Sequence, residues 1–238
     1  MRIVGGVWRN RAIDAPQGRN TRPTTDRMRE SLASMVLSAC DLDLSGYSVL
    51  DAFAGSGALG LELLSRGAHT CTFCELDGRT AALVRGNCKK LGAEASRWRV
   101  VRGDVLRLGS AGLWGAPFSI VLLDPPYAMP ATDVARLVEE LSRRGQLAED
   151  CLVVYERAHD APGLELGNAE LLRTKRMSSS CVDLMRISRA EETNARATAV
   201  GERLSADVLA DVPAGETPAV NIPPNKAVSP ITKRRNNR

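Results

Sequence analysis

Residues 49–64, VLDAFAGSGALGLELL, join a hydrophobic strand, a glycine loop and the start of a helix. The strand ends on Asp51, and Gly55, Gly57 and Gly60 then follow in the pattern G-x-G-x-x-G. This spacing lets a cofactor approach the backbone at a helix N-terminus. The glycines alone are weak evidence, because small turns also require glycine. Their position between a strand and a helix nevertheless favours a nucleotide-cofactor site.

The chain on both sides of this loop alternates between predicted strands and helices. The predicted strands cover residues 48–52, 70–75, 98–101, 120–123 and 152–155, the predicted helices cover 58–65, 79–91 and 133–143, and a closing antiparallel hairpin covers 170–174 and 181–187. Repeated β-α-β units predict an α/β fold, with a mainly parallel sheet covered by helices on both faces. Ligands bind to such sheets at the carboxyl ends of the strands.

Acidic residues follow the second and third predicted strands. Glu75 lies about 20 residues after the glycines, where this type of site places an acid that accepts ribose hydroxyls. Asp104 follows the third strand and could accept a hydrogen bond from an adenine amino group. Simpler interpretations stay open for both acids. Glu75 could be the N-cap of the next helix, although Asp77 could fill that role instead, and Asp104 could be a structural loop residue.

The stretch SIVLLDPPYAMP, residues 119–130, ends a fourth predicted strand on Asp124, Pro125, Pro126 and Tyr127. Two adjacent prolines stop a strand and stiffen the turn. The Asp124 carboxylate and the Pro125 carbonyl could hold the hydrogens of a nucleobase amine and aim its lone pair at an electrophile. Tyr127 offers a face for base stacking, worth about 1–3 kcal/mol. A loop acid beside a rigid turn is the alternative, but convergence with the other strand ends favours an active site.

The segment 1–40 is basic and predicts an arm that precedes the sheet. Residues 2–13 predict a small β-hairpin, and a helix is predicted to begin near Thr24 or Thr25, with an apolar face that packs on the core. The arginines of the segment are Arg2, Arg9, Arg11, Arg19, Arg22, Arg27 and Arg29. Such an excess of arginine in a short segment fits contact with phosphates.

Taken in order, MRIVGGVWRNR, TRPTTDRMRESL, VLDAFAGSGALGLELLSRGA and LLDPPY resemble the bacterial 16S ribosomal RNA guanine-N2 methyltransferase family of the RsmD type. The resemblance extends from residue 1 to about residue 188. It implies a Rossmann-like class I methyltransferase with a seven-stranded sheet, S-adenosylmethionine as cofactor, and a guanosine of 16S rRNA as substrate. Free rRNA and small-subunit assembly particles stay open as the form of that substrate. The domains expected from it are the arm at 1–40 and the methyltransferase domain at 41–189.

The resemblance also implies a role for each motif residue. The residues that would surround the methionine half of the cofactor are Asp51, Phe53, Gly55 and Gly57. Glu75 would hold the ribose and Asp104 the adenine, while Asp124, Pro125, Pro126 and Tyr127 would position the base. The residues that would engage RNA are Trp8, Arg9, Arg11 and Arg22. No metal is implied.

Other features of the sequence indicate the cellular compartment in which the protein works. No apolar run approaches the roughly 20 residues that span a bilayer, and six scattered cysteines are typical of a reducing cytosol, so we expect a cytoplasmic monomer. Cys71 and Cys74 form a C-x-x-C, but residues three apart on a strand point to opposite faces, which favours packing over metal or redox chemistry. Residues 190–238 are predicted to be a disordered tail that ends in a basic cluster.

Three alternative functions stay open at this point. The DPPY motif serves amino groups in general, so adenine-N6 methylation of DNA or RNA is an alternative. A dinucleotide-dependent dehydrogenase also uses G-x-G-x-x-G, although the motif at Asp124 has no clear role there. A non-catalytic RNA-binding assembly factor could keep the fold for recognition alone, but the intact Asp124 and Tyr127 argue against it.

Overall fold

Seven strands form one sheet in the computed structural model, which describes residues 1–16, 26–109, 112–177 and 180–188. The strands are β1 (Ser48–Asp51), β2 (Thr70–Glu75), β3 (Trp98–Arg102), β4 (Phe118–Leu123), β5 (Leu147–Ala158), β6 (Ala169–Arg176) and β7 (Ser180–Ile187). The helices are α1 (Asp26–Ala39), α2 (Ala58–Ser65), α3 (Gly78–Lys90), α4 (Val105–Leu108) and α5 (Ala131–Arg143).

The sheet has the spatial order β3-β2-β1-β4-β5-β7-β6. The first five strands in this order are parallel, and β7 runs antiparallel to both β5 and β6. This confirms the mainly parallel sheet and its closing hairpin. Because the order reverses direction between β1 and β4, the carboxyl ends of these two strands border the crevice where such sheets bind ligands.

Two hydrophobic cores cover the two faces of the sheet. One core contains the apolar faces of α1, α2 and α3, and the other contains α5 and the start of α4. Cys71 belongs to the first core and Cys74 to the second, so the C-x-x-C residues lie on opposite faces, as predicted, and both are buried. The structure lengthens β5 at both ends and adds α4, a single turn that the sequence pattern did not indicate.

The N-terminal segment forms an irregular version of the predicted hairpin. Arg2 and Ala12 make a single antiparallel bridge, and a short 3₁₀ turn at Gly6–Trp8 lies between the paired ends. Its middle lacks cross-strand partners because the backbone of residues 4, 5 and 8 bonds to α2 instead. The suggested caps at Thr24 and Thr25 lie outside the described residues.

A buried glutamate on α2 holds this segment against the sheet domain. Glu62 is 0% exposed, and its carboxylate accepts hydrogen bonds from the N–H groups of Val4 at 2.8 Å and Gly5 at 2.7 Å. The guanidinium of Arg66 forms an ion pair with the same carboxylate at 2.8 Å. Buried charge is costly unless it is paired and hydrogen-bonded, so these partners offset the cost of burying Glu62, and removal of Glu62 would leave them unpaired.

No helix in the described ranges is long and apolar enough to cross a membrane.

We expect Glu62→Ala to lower the free energy of unfolding by about 3–5 kcal/mol, because two backbone N–H groups lose their acceptor and Arg66 keeps only a longer ion pair with Glu30 at 3.7 Å. The matched control is Glu140→Ala, which removes an acid that pairs with Arg143 and Arg144 on the surface of α5. That loss should stay below about 1 kcal/mol. Urea titration of both variants measures the difference, and equal losses would contradict the anchoring role of Glu62.

Candidate active site

Four neighbouring strands carry a carboxylate at or near their carboxyl ends. Along β2, β1, β4 and β5 these are Glu75, Asp51, Asp124 and Glu156, which we call the carboxylate row. Asp124 directly follows β4, and the register of β4 with β5 makes Glu156 its neighbour. The charge of Glu75 acts on Asp51, and those of Glu156 and Asp51 act on Asp124. The row therefore behaves as one electrostatic unit.

The three loop glycines have different roles. Gly55 has φ +52°, and a Cβ there would meet nothing within 4 Å, so its backbone is open to a ligand. A Cβ at Gly57, where φ is +76°, would lie 2.9 Å from Val84 Cγ1, and one at Gly60 would lie 2.5 Å from Phe73 Cε1. Gly57 and Gly60 therefore allow close packing of the loop and α2, and Gly55 provides the close approach.

The Glu75 carboxylate connects two loops. Its Oε2 accepts a hydrogen bond from the Gly55 N–H, and its Oε1 accepts one from the Asp77 N–H, each at 2.9 Å. Each oxygen keeps a second lone pair, so the fixed carboxylate can still accept hydroxyl donors. Asp77 itself caps α3 by accepting from the Thr80 N–H at 2.8 Å. Asp77 is therefore the N-cap of α3, so Glu75 does not have that role and remains a candidate for ligand binding.

Asp51 is the most buried member of the row. It is 5% exposed, and its Oδ2 accepts a hydrogen bond from the Gly60 N–H at 3.2 Å. Burial, with a smaller contribution from the charge of Glu75, raises the pKa of Asp51 to about 7. A bound cation would favour the ionised form. The nearby Phe53 is half-buried against the core that contains α5.

Asp104 lies beside Glu75 and has a structural role. Its side chain caps α4 by accepting from the Leu106 N–H at 3.1 Å. The adjacent Gly103 N–H donates to the Glu75 carbonyl at 3.0 Å, which joins the ends of β3 and β2. The structural interpretation of Asp104 is therefore correct, and its position next to Glu75 is also compatible with a ligand contact.

The motif after β4 is a rigid platform at the mouth of the crevice. Pro125 is buried, while Asp124 is open to solvent and Tyr127 is 54% exposed. The Met129 N–H donates to the Pro126 carbonyl at 2.8 Å, which closes the turn before α5. Although water reaches Asp124, the surrounding protein partly desolvates it. This desolvation, together with the charges of Glu156 and Asp51, raises the pKa of Asp124.

The candidate RNA-binding residues lie in dissimilar places. Trp8 is 8% exposed and belongs to the core, so its ring is not presented for stacking. Arg11 donates to two carbonyl oxygens at the C-terminus of α3, each at 2.6 Å. Arg9 is exposed, and Arg22 lies outside the described residues. A further arginine of the segment, Arg29, is 1% exposed and pairs with Asp26. Arg9 and Arg11 are both exposed, but the side chain of Arg9 makes no hydrogen bond or ion pair with another residue in the described ranges.

Two residues of the site were not identified from the sequence. Glu156 is the fourth member of the row and lies near the end of β5. Leu76, directly after Glu75, is 69% exposed and offers an apolar surface for a flat ring. The signal for Glu156 was present, because it is an acid directly after the predicted strand 152–155. Within the ranges that the structure describes, no group of three or more His, Cys, Asp or Glu side chains is arranged to hold a metal ion.

Comparison with known proteins shows which family this chain resembles. The family model described as Conserved hypothetical protein 95 matches residues 1–186. The chain is 35% identical over 156 residues to Ribosomal RNA small subunit methyltransferase D of Escherichia coli (strain K12), covering 66% of this chain and 74% of that protein. The Haemophilus influenzae protein of the same name is 31% identical over 175 residues, which cover 74% of this chain and 88% of that protein.

A solved structure shows the same fold. It is an Escherichia coli protein described as methyltransferase yhhF, which superimposes with a TM-score of 0.67 and 31% identity over 79% of this chain and 98% of that chain. The Rossmann-like methyltransferase fold implied by the sequence motifs is confirmed.

We expect the raised pKa of Asp51 to make stability depend on pH. Because the folded state keeps this proton up to about pH 7, against 3.8 as the ordinary value, the contribution is complete below pH 4 and is lost as pH rises to 7. Asp51→Asn should remove that slope from the free energy of unfolding. The control is Asp43→Asn at an exposed loop carboxyl, whose pKa is lowered by the Ser45 N–H and which should leave the slope in place. Parallel urea-derived pH profiles for wild type and Asp51→Asn would contradict this account.

Proposed function

We infer the function of this chain from one premise, namely that it belongs to the family described as Conserved hypothetical protein 95. The relatives that it resembles are named methyltransferases of small-subunit ribosomal RNA. We therefore propose that it transfers a methyl group from S-adenosylmethionine to the exocyclic N2 of a guanine in 16S rRNA. The observation that carries the proposal is the rigid Asp124-Pro125-Pro126-Tyr127 platform beside the open glycine loop.

The carboxylate row supports a cationic cofactor. S-adenosylmethionine carries a positive sulfonium and an α-ammonium group, whereas a dinucleotide carries a negative pyrophosphate. Burial, and with it the repulsion from neighbouring carboxylates, raises the pKa of Asp51 and Asp124. A cation near the row would favour their ionised forms, while an anion would add to the repulsion. This charge argument favours S-adenosylmethionine over the dinucleotide of the dehydrogenase alternative, which shares the glycine pattern.

Different residues of the site would bind different parts of S-adenosylmethionine. Asp51, with Phe53 and the glycine loop, would surround the methionine half, and the Asp51 carboxylate would meet its ammonium. Glu75 would accept the ribose hydroxyls with its two remaining lone pairs. Asp104 would accept from the adenine amino group. When bound, S-adenosylmethionine supplies a methyl group that its sulfonium makes electrophilic.

Asp124 would act directly on the amine that receives the methyl group. The lone pair of an exocyclic amine is delocalised into the base, so it is a poor nucleophile. Two acceptors, the Asp124 carboxylate and the Pro125 carbonyl, would hold the two hydrogens and direct the lone pair toward the methyl group. The new N–C bond releases one proton from the nitrogen, and the Asp124 carboxylate would take it. A raised pKa suits that step, because it makes the carboxylate a better base.

The target base must leave its stack to reach this platform, where Tyr127 would pack against it. RNA phosphates would contact the basic N-terminal segment, in which Arg9 is exposed. We propose that the substrate is 16S rRNA in small-subunit assembly particles, that the enzyme acts in the cytoplasm, and that it does so as a monomer. Adenine-N6 methylation is the alternative product of the same platform.

We expect Asp124→Ala to lower the methyl-transfer rate by about 10²- to 10⁴-fold while S-adenosylmethionine binding stays measurable by calorimetry. The assay uses labelled cofactor with 16S rRNA or 30S particles that lack the modification. Asp133→Ala, which removes an acid paired with Arg136 in the first turn of α5, is the control and should keep full activity. Full activity of Asp124→Ala would refute its role, and label found only in adenine would refute the proposed substrate.

We expect Arg9→Ala and Arg11→Ala to differ in kind. Arg9→Ala should weaken RNA binding and leave the melting temperature unchanged. The slope of the logarithm of the binding constant against the logarithm of the salt concentration should fall by about 1, the value for one phosphate contact. Arg11→Ala should lower the melting temperature, because two carbonyls at the C-terminus of α3 lose their donor. Filter binding across a salt series and thermal melts measure both effects. If Arg9→Ala changes neither affinity nor salt slope, the RNA does not contact this residue.

A further inference from the structure

The outermost strand β6 is strongly basic in its second half. That half carries Arg173, Lys175 and Arg176, of which the two arginines are exposed and form no ion pair within the described ranges. The first half carries Glu170 and Leu171 instead, and the register with β7 shifts between Leu171 and Arg173. The positive charge is therefore confined to one end of the strand.

The basic end of β6 lies at the crevice edge of the sheet. Because β7 runs antiparallel to both β5 and β6, these two strands point in the same direction. Val182 of β7 pairs with Glu156 on one side and with Lys175 on the other, so Lys175 lies level with the carboxylate row. Three strand spacings, about 14 Å, separate β6 from β4. The crevice edge is thus acidic from β2 to β5 and basic at β6.

The first turn of α1 extends this positive surface. Lys175 Nζ donates a hydrogen bond to Ser31 Oγ, so α1 packs against the basic end of β6. Arg27 is exposed and precedes Ser31 by four residues, which places both on the same face of the helix. We call the four cations Arg27, Arg173, Lys175 and Arg176 the basic edge.

The acids of the surrounding elements do not neutralise the basic edge. Each is bound by an arginine outside it: Asp26 by Arg2 and Arg29, Glu30 by Arg66, and Asp183 by Arg157. A simpler explanation is that charged side chains on an outermost strand prevent it from pairing with other chains. That explanation accounts neither for Arg27, which is on a helix, nor for the restriction of the charge to the crevice half of β6.

We propose that the basic edge binds the phosphates of the RNA nucleotides that flank the target base. This rests on the proposed methylation of rRNA and deepens it, because it assigns the surface that holds the substrate beside the crevice. Enzymes that extrude a base from its stack also contact the nucleotides on either side of it. The cations of the basic edge provide such contacts by attracting phosphates.

The charge pattern of the crevice edge fits this division of the RNA. The carboxylate row repels phosphates, so the backbone of a nucleotide whose base lies at Asp124 is held best beyond the row. β6 is the first strand past the row that carries a cluster of cations on its crevice half. It is also the last strand of the sheet, so backbone N–H groups on its outer side are left without a strand partner, and RNA phosphates accept from such groups.

The test is the double variant Arg173→Ala with Arg176→Ala, assayed with 16S rRNA that lacks the modification. Its KM for RNA should rise about tenfold, while kcat at saturating RNA and the affinity for S-adenosylmethionine stay unchanged. In filter binding, the slope of the logarithm of the binding constant against the logarithm of the salt concentration should fall by about 1.5, the value for two phosphate contacts. Lysine at both positions keeps the charge and should keep the slope.

The matched control is Arg143→Ala with Arg144→Ala. It removes the same charge at the C-terminal end of α5, which lies at the opposite end of the sheet because α5 begins just after the platform at Asp124. RNA affinity, KM and salt slope should equal those of the wild type. Equal losses in the two double variants would mean that only net charge matters, and would overturn the proposal.

The other outcomes separate the basic edge from the proposed function. An unchanged KM and salt slope in the variant of Arg173 and Arg176 would overturn the role of the basic edge and leave the methyltransferase function standing. A wild type that methylates no 16S rRNA would overturn the function, whereas filter binding still decides on the basic edge because it needs no methyl transfer. A defect with 30S particles but not with free 16S rRNA would indicate a protein contact and overturn the proposal. If the double variant does not fold, Arg27→Ala decides, and a wild-type salt slope there would overturn the proposal.

Discussion

The constraint on which the rest of the structure depends is the row of carboxylates at the ends of four adjacent parallel strands. Burial in this crevice, together with repulsion between the carboxylates, raises the pKa of both Asp51 and Asp124. Such a site is stabilised by ligands that bring positive charge and hydrogen-bond donors. In the proposed function, the sulfonium cofactor and the amino-bearing base would supply these, with the cofactor at Asp51 and Glu75 and the base at Asp124.

The surrounding elements hold this row in place. Gly57 and Gly60 lack side chains, so α2 can lie close to β2, while Gly55 leaves open backbone beside Glu75. The Glu62 carboxylate on α2 holds the N-terminal segment by accepting hydrogen bonds from the backbone N–H groups of Val4 and Gly5. One short helix, α2, thus begins at the cofactor loop and holds the segment proposed to contact RNA.

The strands, the glycine loop and the motif at Asp124 were predictable because they follow from local patterns: apolar runs, glycine spacing and proline. The roles of single side chains depended on tertiary contacts that no local pattern encodes. Trp8 was predicted to meet RNA but is buried in the core, and Arg11 caps a helix far away in sequence. Glu156 was missed because only the register of β5 beside β4 brings it next to Asp124, although the sequence does show an acid directly after the predicted strand.

The measurement that tests the account most directly is nucleoside mass spectrometry of 16S rRNA from a deletion strain, complemented either with the wild-type chain or with Asp124→Ala. The account predicts that one N2-methylguanosine disappears on deletion, returns with the wild-type chain and does not return with Asp124→Ala. An unchanged N2-methylguanosine content after deletion, or loss of a methylated adenine instead, would contradict it.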